Sequence, residues 1–189
     1  MTHPAEPVPP VPVAGTALRR GLVPLLIAVA ALVVTVDQVS KALVVDRLAP
    51  GVPATVVPGW LQLRLLRNPG AAFSLSTGTT WLFTIIAVLV IGVIVRVSRR
   101  LGSLGWAVAL GLLLGGALGN LIDRLTREPG FGVGHVVDFI EYLRFPFMAF
   151  PVFNVADSCI VSAAGLIMIL GLRDIPVAGR PRSTQRVDA

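Results

Sequence analysis

The sequence is short of charge. Aspartate, glutamate, lysine and arginine make up 14% of its 189 residues, against 54% hydrophobic residues and a mean hydropathy of +0.82. A soluble domain carries about a quarter charged residues, so the composition places the chain among integral membrane proteins. Cysteine is nearly absent. Cys159 stands alone, which excludes an intrachain disulfide and a cysteine-based metal site, and inside an apolar run it reads as a small packing residue. Histidine is scarce too, and with no second histidine near His135 neither a metal nor a cofactor is expected. A basic face is also missing. The net charge is +6, yet the arginines are scattered between apolar runs without interleaved aromatics, which argues against nucleic acid as a partner.

What is present is long apolar sequence. Four runs, about Leu22 to Val45, Trp81 to Val97, Leu104 to Ile122 and Phe150 to Leu172, are 17 to 24 residues long, matching the roughly 20 that a spanning helix needs. The first continues through "VTVDQVSKALVV" with no small-residue cleavage site, so it reads as a helix and not as a signal peptide. Residues 1–20, rich in proline, are expected to be a flexible tail, 21–174 the membrane domain, and 175–189 a flexible basic tail. With the N-terminus cytoplasmic, nine arginines fall on the inner side and six on the outer. That bias favours both termini inside. Between the first two helices, Leu61, Leu63 and Leu65 alternate with Gln62 and Arg64, the period of a half-buried strand. A small sheet on the outer membrane face is expected there.

This topology gives each intramembrane polar group a depth. Asp37, Gln38 and Lys41 lie in the outer half of the first helix, Asn120, Asp123 and Arg124 end the third, and Asn154 and Asp157 open the fourth. Asp138, in apolar "VVDFI", and Asn68, opening a long loop, fall on the same side. Spacings of three and four put each helical set on one face, and such faces turn to the bundle interior.

Each group also has a plain structural reading. Asn154 with Asp157 is a capping arrangement, Asp37 with Lys41 an intrahelical ion pair, and Arg124 or Arg144 can snorkel to headgroups. Trp60, Trp81 and Trp106 suit packing or an interface belt. A fourth helix starting near Phe150 would place Asp157 about 10 Å along its axis, just below the interface. Two carboxylates sharing such a partly desolvated site resist double ionisation and hold one proton between them. That is a general acid and base around a water.

The stretches "DQVSKALV" (Asp37 to Val44), "RNPGAAFS" (Arg67 to Ser74), "GGALGNLIDRL" (Gly115 to Leu125), "VVDFI" (Val136 to Ile140) and "FNVADS" (Phe153 to Ser158) closely resemble the lipoprotein signal peptidases, or signal peptidase II. The resemblance runs from about residue 22 to 173 with all five motifs in order. It implies a bacterial inner-membrane aspartyl protease with four transmembrane helices and an outer β-cradle. Such enzymes remove signal peptides from prolipoproteins, cutting just before a diacylglyceryl-modified cysteine. The catalytic aspartates would be Asp138 and Asp157, with Asn68, Asn120, Asp123, Arg124 and Asn154 as the supporting or substrate-binding shell and Asp37 and Lys41 as structural polar residues. The expected partners are prolipoproteins and membrane lipids, and the expected state is a monomer with its active site toward the outer face. The segment "TREPGFGVGH" (Thr126 to His135) departs from the family pattern in being longer and rich in glycine, and spacing alone leaves Asp123 as an alternative partner for Asp157. A different class, a small proton-linked transporter using the acids as a relay, is the other reading; the absence of an internal repeat counts against it.

Overall fold

A computed structural model describes residues 16–70, 80–144 and 151–179, with side chains from Leu22 onward. The first 15 residues and the last ten, which hold most of the two expected tails, lie outside the described residues, as do 71–79 and 145–150. Four helices are long and apolar enough to cross a membrane: α1 (Thr16–Arg47), α2 (Thr80–Ser98), α3 (Leu104–Thr126) and α4 (Val155–Leu172).

Small residues bring the helices together. In α3, Gly111, Gly115 and Gly119 recur every four residues, and α1 packs into that row. A Cβ on Gly115 would sit 2.8 Å from the Ala30 carbonyl, and one on Gly119 would sit 2.6 Å from Asp37 Oδ2. Between apolar helices in lipid, such close backbone approach is a main source of packing energy. The opposite faces carry exposed Leu89 and Val93 on α2 and Val161 and Met168 on α4, apolar surfaces suited to hydrocarbon.

Three antiparallel strands, β1 (Ala54–Val57), β2 (Leu61–Asn68) and β3 (Val136–Tyr142), form a sheet in the order β1-β2-β3. The alternating leucines do lie in a strand, β2. Its pairing with β3 sets Leu66 opposite Asp138 and Asn68 opposite Val136, with a bulge between Leu63 and Leu66. Val136 to Phe139 are all buried, which hides the period-2 signal that would have marked β3 in the sequence.

Three boundaries differ from the sequence-based expectation. The first helix already begins at Thr16, inside the segment expected as tail. The fourth begins at Val155, not near Phe150, because Asn154 caps it and the preceding Phe153 is extended, exchanging backbone hydrogen bonds with Ile140. Its 18 residues span roughly 27 Å, and Asp157 sits in its first turn. Finally, 175–179 are not free. Gly102 N–H donates to the Val177 carbonyl at 2.8 Å, and Trp106 Nε1 donates to the Ile175 carbonyl at 2.7 Å.

Candidate active site

The start of α4 organises the polar residues. Asn154 Oδ1 accepts from Asp157 N–H at 2.9 Å, and Asp157 Oδ2 accepts from Asn154 N–H at 3.3 Å, a reciprocal capping box. The next free amide, Ala156 N–H, is taken by Asp37 Oδ1 from α1 at 3.0 Å. Two carboxylates thus answer the unpaired N–H groups and the positive end of the helix dipole. With its oxygen committed to the cap, the Asn154 amide turns its Nδ2 outward, donating to Asp138 Oδ1 at 2.7 Å and to Asn120 Oδ1 at 3.1 Å.

Asp138 and Asp157 are each held by amides. Asp138 Oδ2 accepts from Asn68 Nδ2 at 2.7 Å, and Asp157 Oδ1 accepts from Asn120 Nδ2 at 2.8 Å. Among the described residues neither has a lysine or arginine within ion-pair distance. The Asp138 carboxyl is pushed up to about 7, chiefly by burial; the Asn68 donor opposes that shift and the nearby Asp157 charge adds to it.

Asp123 has a different environment. It is fully buried behind the site, with Lys41 Nζ at 2.9 Å, Arg127 Nε at 2.7 Å and the Val137 N–H at 3.1 Å. Lys41, also fully buried, further contacts Asp37 Oδ2 at 2.8 Å and donates to Asn120 Oδ1 at 3.0 Å. Three acceptors use all three ammonium protons. Two acids and two cations therefore neutralise one another in this inner layer, the condition under which buried charge is tolerated.

Asn68, Asn120, Arg124, Asp138 and Asp157 share a cavity of about 420 Å³, walled by apolar groups such as Phe83 and Val161. Asp123, Asp37 and Lys41 do not line it. Arg124 lies with its guanidinium 5.4 Å from the Phe83 ring centre, and its buried Nη1 has no hydrogen-bond partner among the described residues. Arg127 is not among the residues expected from the sequence, although its i, i+4 spacing from Asp123 marks the pair. Phe83 is not among them either, since only tertiary packing brings it to the cavity and to Arg124.

Residues 29–173 match the family described as Signal peptidase (SPase) II. The chain belongs to the signal peptidase II family. It is 48% identical to the lipoprotein signal peptidase of Leifsonia xyli subsp. xyli over 160 residues, covering 85% of this chain and 72% of that protein. It is 45% identical to the lipoprotein signal peptidase of Rhodococcus jostii over 183 residues, covering 97% and 87%. Among solved structures it is similar to a bacterial membrane enzyme determined in meso at 1.9 Å, with 36% identity and a TM-score of 0.70, covering 79% of this chain and 93% of that one. Family membership makes the chain a multi-pass membrane aspartic peptidase that removes signal peptides from prolipoproteins. The transporter reading is left without support.

Proposed function

We propose that Asp138 and Asp157 are the catalytic pair of this signal peptidase II, and that it cuts prolipoproteins immediately before the diacylglyceryl-modified cysteine. One observation carries the assignment: two carboxylates bound only by amide donors, with no salt-bridge partner among the described residues, line one largely apolar cavity. In the reaction the ionised member takes a proton from water as the water attacks the scissile carbonyl. The protonated member hydrogen-bonds that carbonyl and then protonates the leaving amine. Asp138, held protonated up to about pH 7, suits the acid; Asp157, at a helix N-terminus, suits the base. The two titrate as a coupled pair.

Asn68, Asn120 and Asn154 aim the carboxylates. Arg124 offers its unpaired Nη1 to a substrate carbonyl. Asp123 supports the site through Lys41 and Arg127 and does not touch substrate. The acyl chains of the substrate stay in lipid beside the apolar wall while the peptide enters the cavity. Residues 21–174 carry the protease domain, and the chain works as a monomer among membrane lipids. In a bacterial inner membrane with both termini cytoplasmic, following the arginine bias, the carboxylates face outward.

The test is prolipoprotein processing in membranes where each variant is shown to accumulate. Asp138→Asn and Asp157→Asn should each abolish processing, and full processing by either would defeat the assignment. An Asp123→Asn variant that folds but is inactive, beside an active Asp138→Asn, would transfer the role to Asp123.

A further inference from the structure

Three exposed arginines lie together at the end of the bundle farthest from the carboxylates. Arg96 lies in the last turn of α2. The chain then tightens, with Arg100 N–H on the Val97 carbonyl at 3.0 Å and Leu101 N–H on the Ser98 carbonyl at 3.1 Å, which keeps Arg99 and Arg100 beside Arg96. All three line a pocket of about 540 Å³. Among the described residues no carboxylate lies within ion-pair distance of any of them.

Arginines at a helix end need no ligand when each reaches separately into water or headgroups. Here the chain after α4 folds back and builds a wall opposite them. Pro176, Val177 and Ala178 form that wall. It is fixed by the Gly102–Val177 and Trp106–Ile175 hydrogen bonds and by Val177 packing on the core around Leu26, Ile94 and Leu101. The approach is so close that a Cβ on Gly102 would collide with the Ala178 carbonyl. Like charges lining one pocket repel, and an anion relieves that repulsion.

We propose that this pocket binds the phosphate of an anionic phospholipid, with the headgroup between the guanidiniums and the wall and the acyl chains along α2. Arginine forks match phosphate geometry, and basic pockets at membrane helix ends are suited to anionic headgroups. The apolar members of the lining, Val97, Pro176 and Val177, favour an anion that carries hydrocarbon over a free ion. Directly along the helix, Leu89 and Val93 are each 63% exposed and offer the acyl chains a track. The site is separate from the peptidase cavity and does not depend on the catalytic assignment.

The full chain, purified in detergent, is offered equal amounts of phosphatidylglycerol and phosphatidylcholine, and retained lipid is counted by native mass spectrometry. The wild type should keep one phosphatidylglycerol in preference. Arg99→Gln/Arg100→Gln should cut that retention roughly tenfold or more. Ala178→Glu, which leaves every arginine in place but sets a carboxylate in the wall, should do the same and decides the matter if the arginine variant does not fold. Prolipoprotein processing should remain at the wild-type level in both, because the carboxylate cavity lies at the other end of the bundle. Equal retention of the two lipids, or undiminished phosphatidylglycerol on Ala178→Glu, would overturn the proposal. Full displacement of the lipid by millimolar inorganic phosphate would show a free-phosphate site instead and would overturn it as well.

Discussion

Asn154 and Asp157 bind each other twice, side chain to backbone in both directions, at 2.9 and 3.3 Å. The pairing consumes the Asn154 oxygen and so dictates which way its NH₂ faces, toward Asp138. Capping and site geometry are one arrangement here, not competing explanations for the same two residues.

Asn154→Ala should therefore lower both stability and turnover. Loss of an N-cap side chain costs about 1 kcal/mol, and Asp138 and Asn120 each lose a donor. Thermal unfolding should drop by a few degrees, while prolipoprotein processing falls by a larger factor than the destabilisation explains. Undiminished processing would detach the cap from the site.

The Asp138 carboxyl, raised from 3.8 to about 7, gives a pH signature with a definite sign. Between those values the folded chain binds a proton that the unfolded chain releases, so this contribution to stability is complete below about pH 4 and is lost as pH rises through 7. Melting curves from pH 4 to 8 should show that decline, and Asp138→Asn should flatten it. Turnover should also fall above about pH 7 as the acid loses its proton. A wild-type rate still rising past pH 8 would contradict that role.

Lys41→Met should be among the most damaging single changes. Among the described residues it leaves Asp37 without a cation partner and Asp123 with only Arg127; breaking a buried ion pair from one side costs about 3–5 kcal/mol. Low accumulation in membranes is the expected outcome, with partial recovery when Asp37→Asn is added. No recovery in the double variant would mean that the amine is needed chiefly to hold Asn120.

Gly119→Ala tests the helix seam. The added methyl would meet Asp37 Oδ2 at 2.6 Å, in the tight space where Asp37 also accepts from Ala156 N–H. Overpacking of this kind costs about 1–3 kcal/mol. Processing should fall along with thermal stability, whereas Gly165→Ala, which meets nothing within 4 Å, should change neither.

The helices were legible because hydrocarbon demands uninterrupted apolar sequence, and β2 because Leu61, Leu63 and Leu65 alternate with Gln62 and Arg64. β3 was not, since burial on both sides leaves "VVDF" without a period. The start of α4 differs from the length-based expectation because the local cap at Asn154 decides it. The cap at Asn154 was visible in the sequence, and a helix of 18 residues is sufficient. Between Asp123 and Asp138 the sequence gives no choice, for the distinction lies in Lys41 and Arg127, reached through helix packing and a single i, i+4 contact. The wall at 176–178 carries no periodic signal at all and exists through two hydrogen bonds to α3 and the turn before it.

Phe153 bridges the strand layer and the α4 cap, its carbonyl accepting from the N–H groups of Phe139 and Ile140 and its own N–H donating to the Ile140 carbonyl. Asp138 stands immediately before Phe139, and Asn154 immediately after Phe153. That rung therefore ties the sheet that carries Asp138 to the bundle that carries Asp157. A sheet that moved away from the bundle would have to break these three backbone hydrogen bonds before the two acids could part.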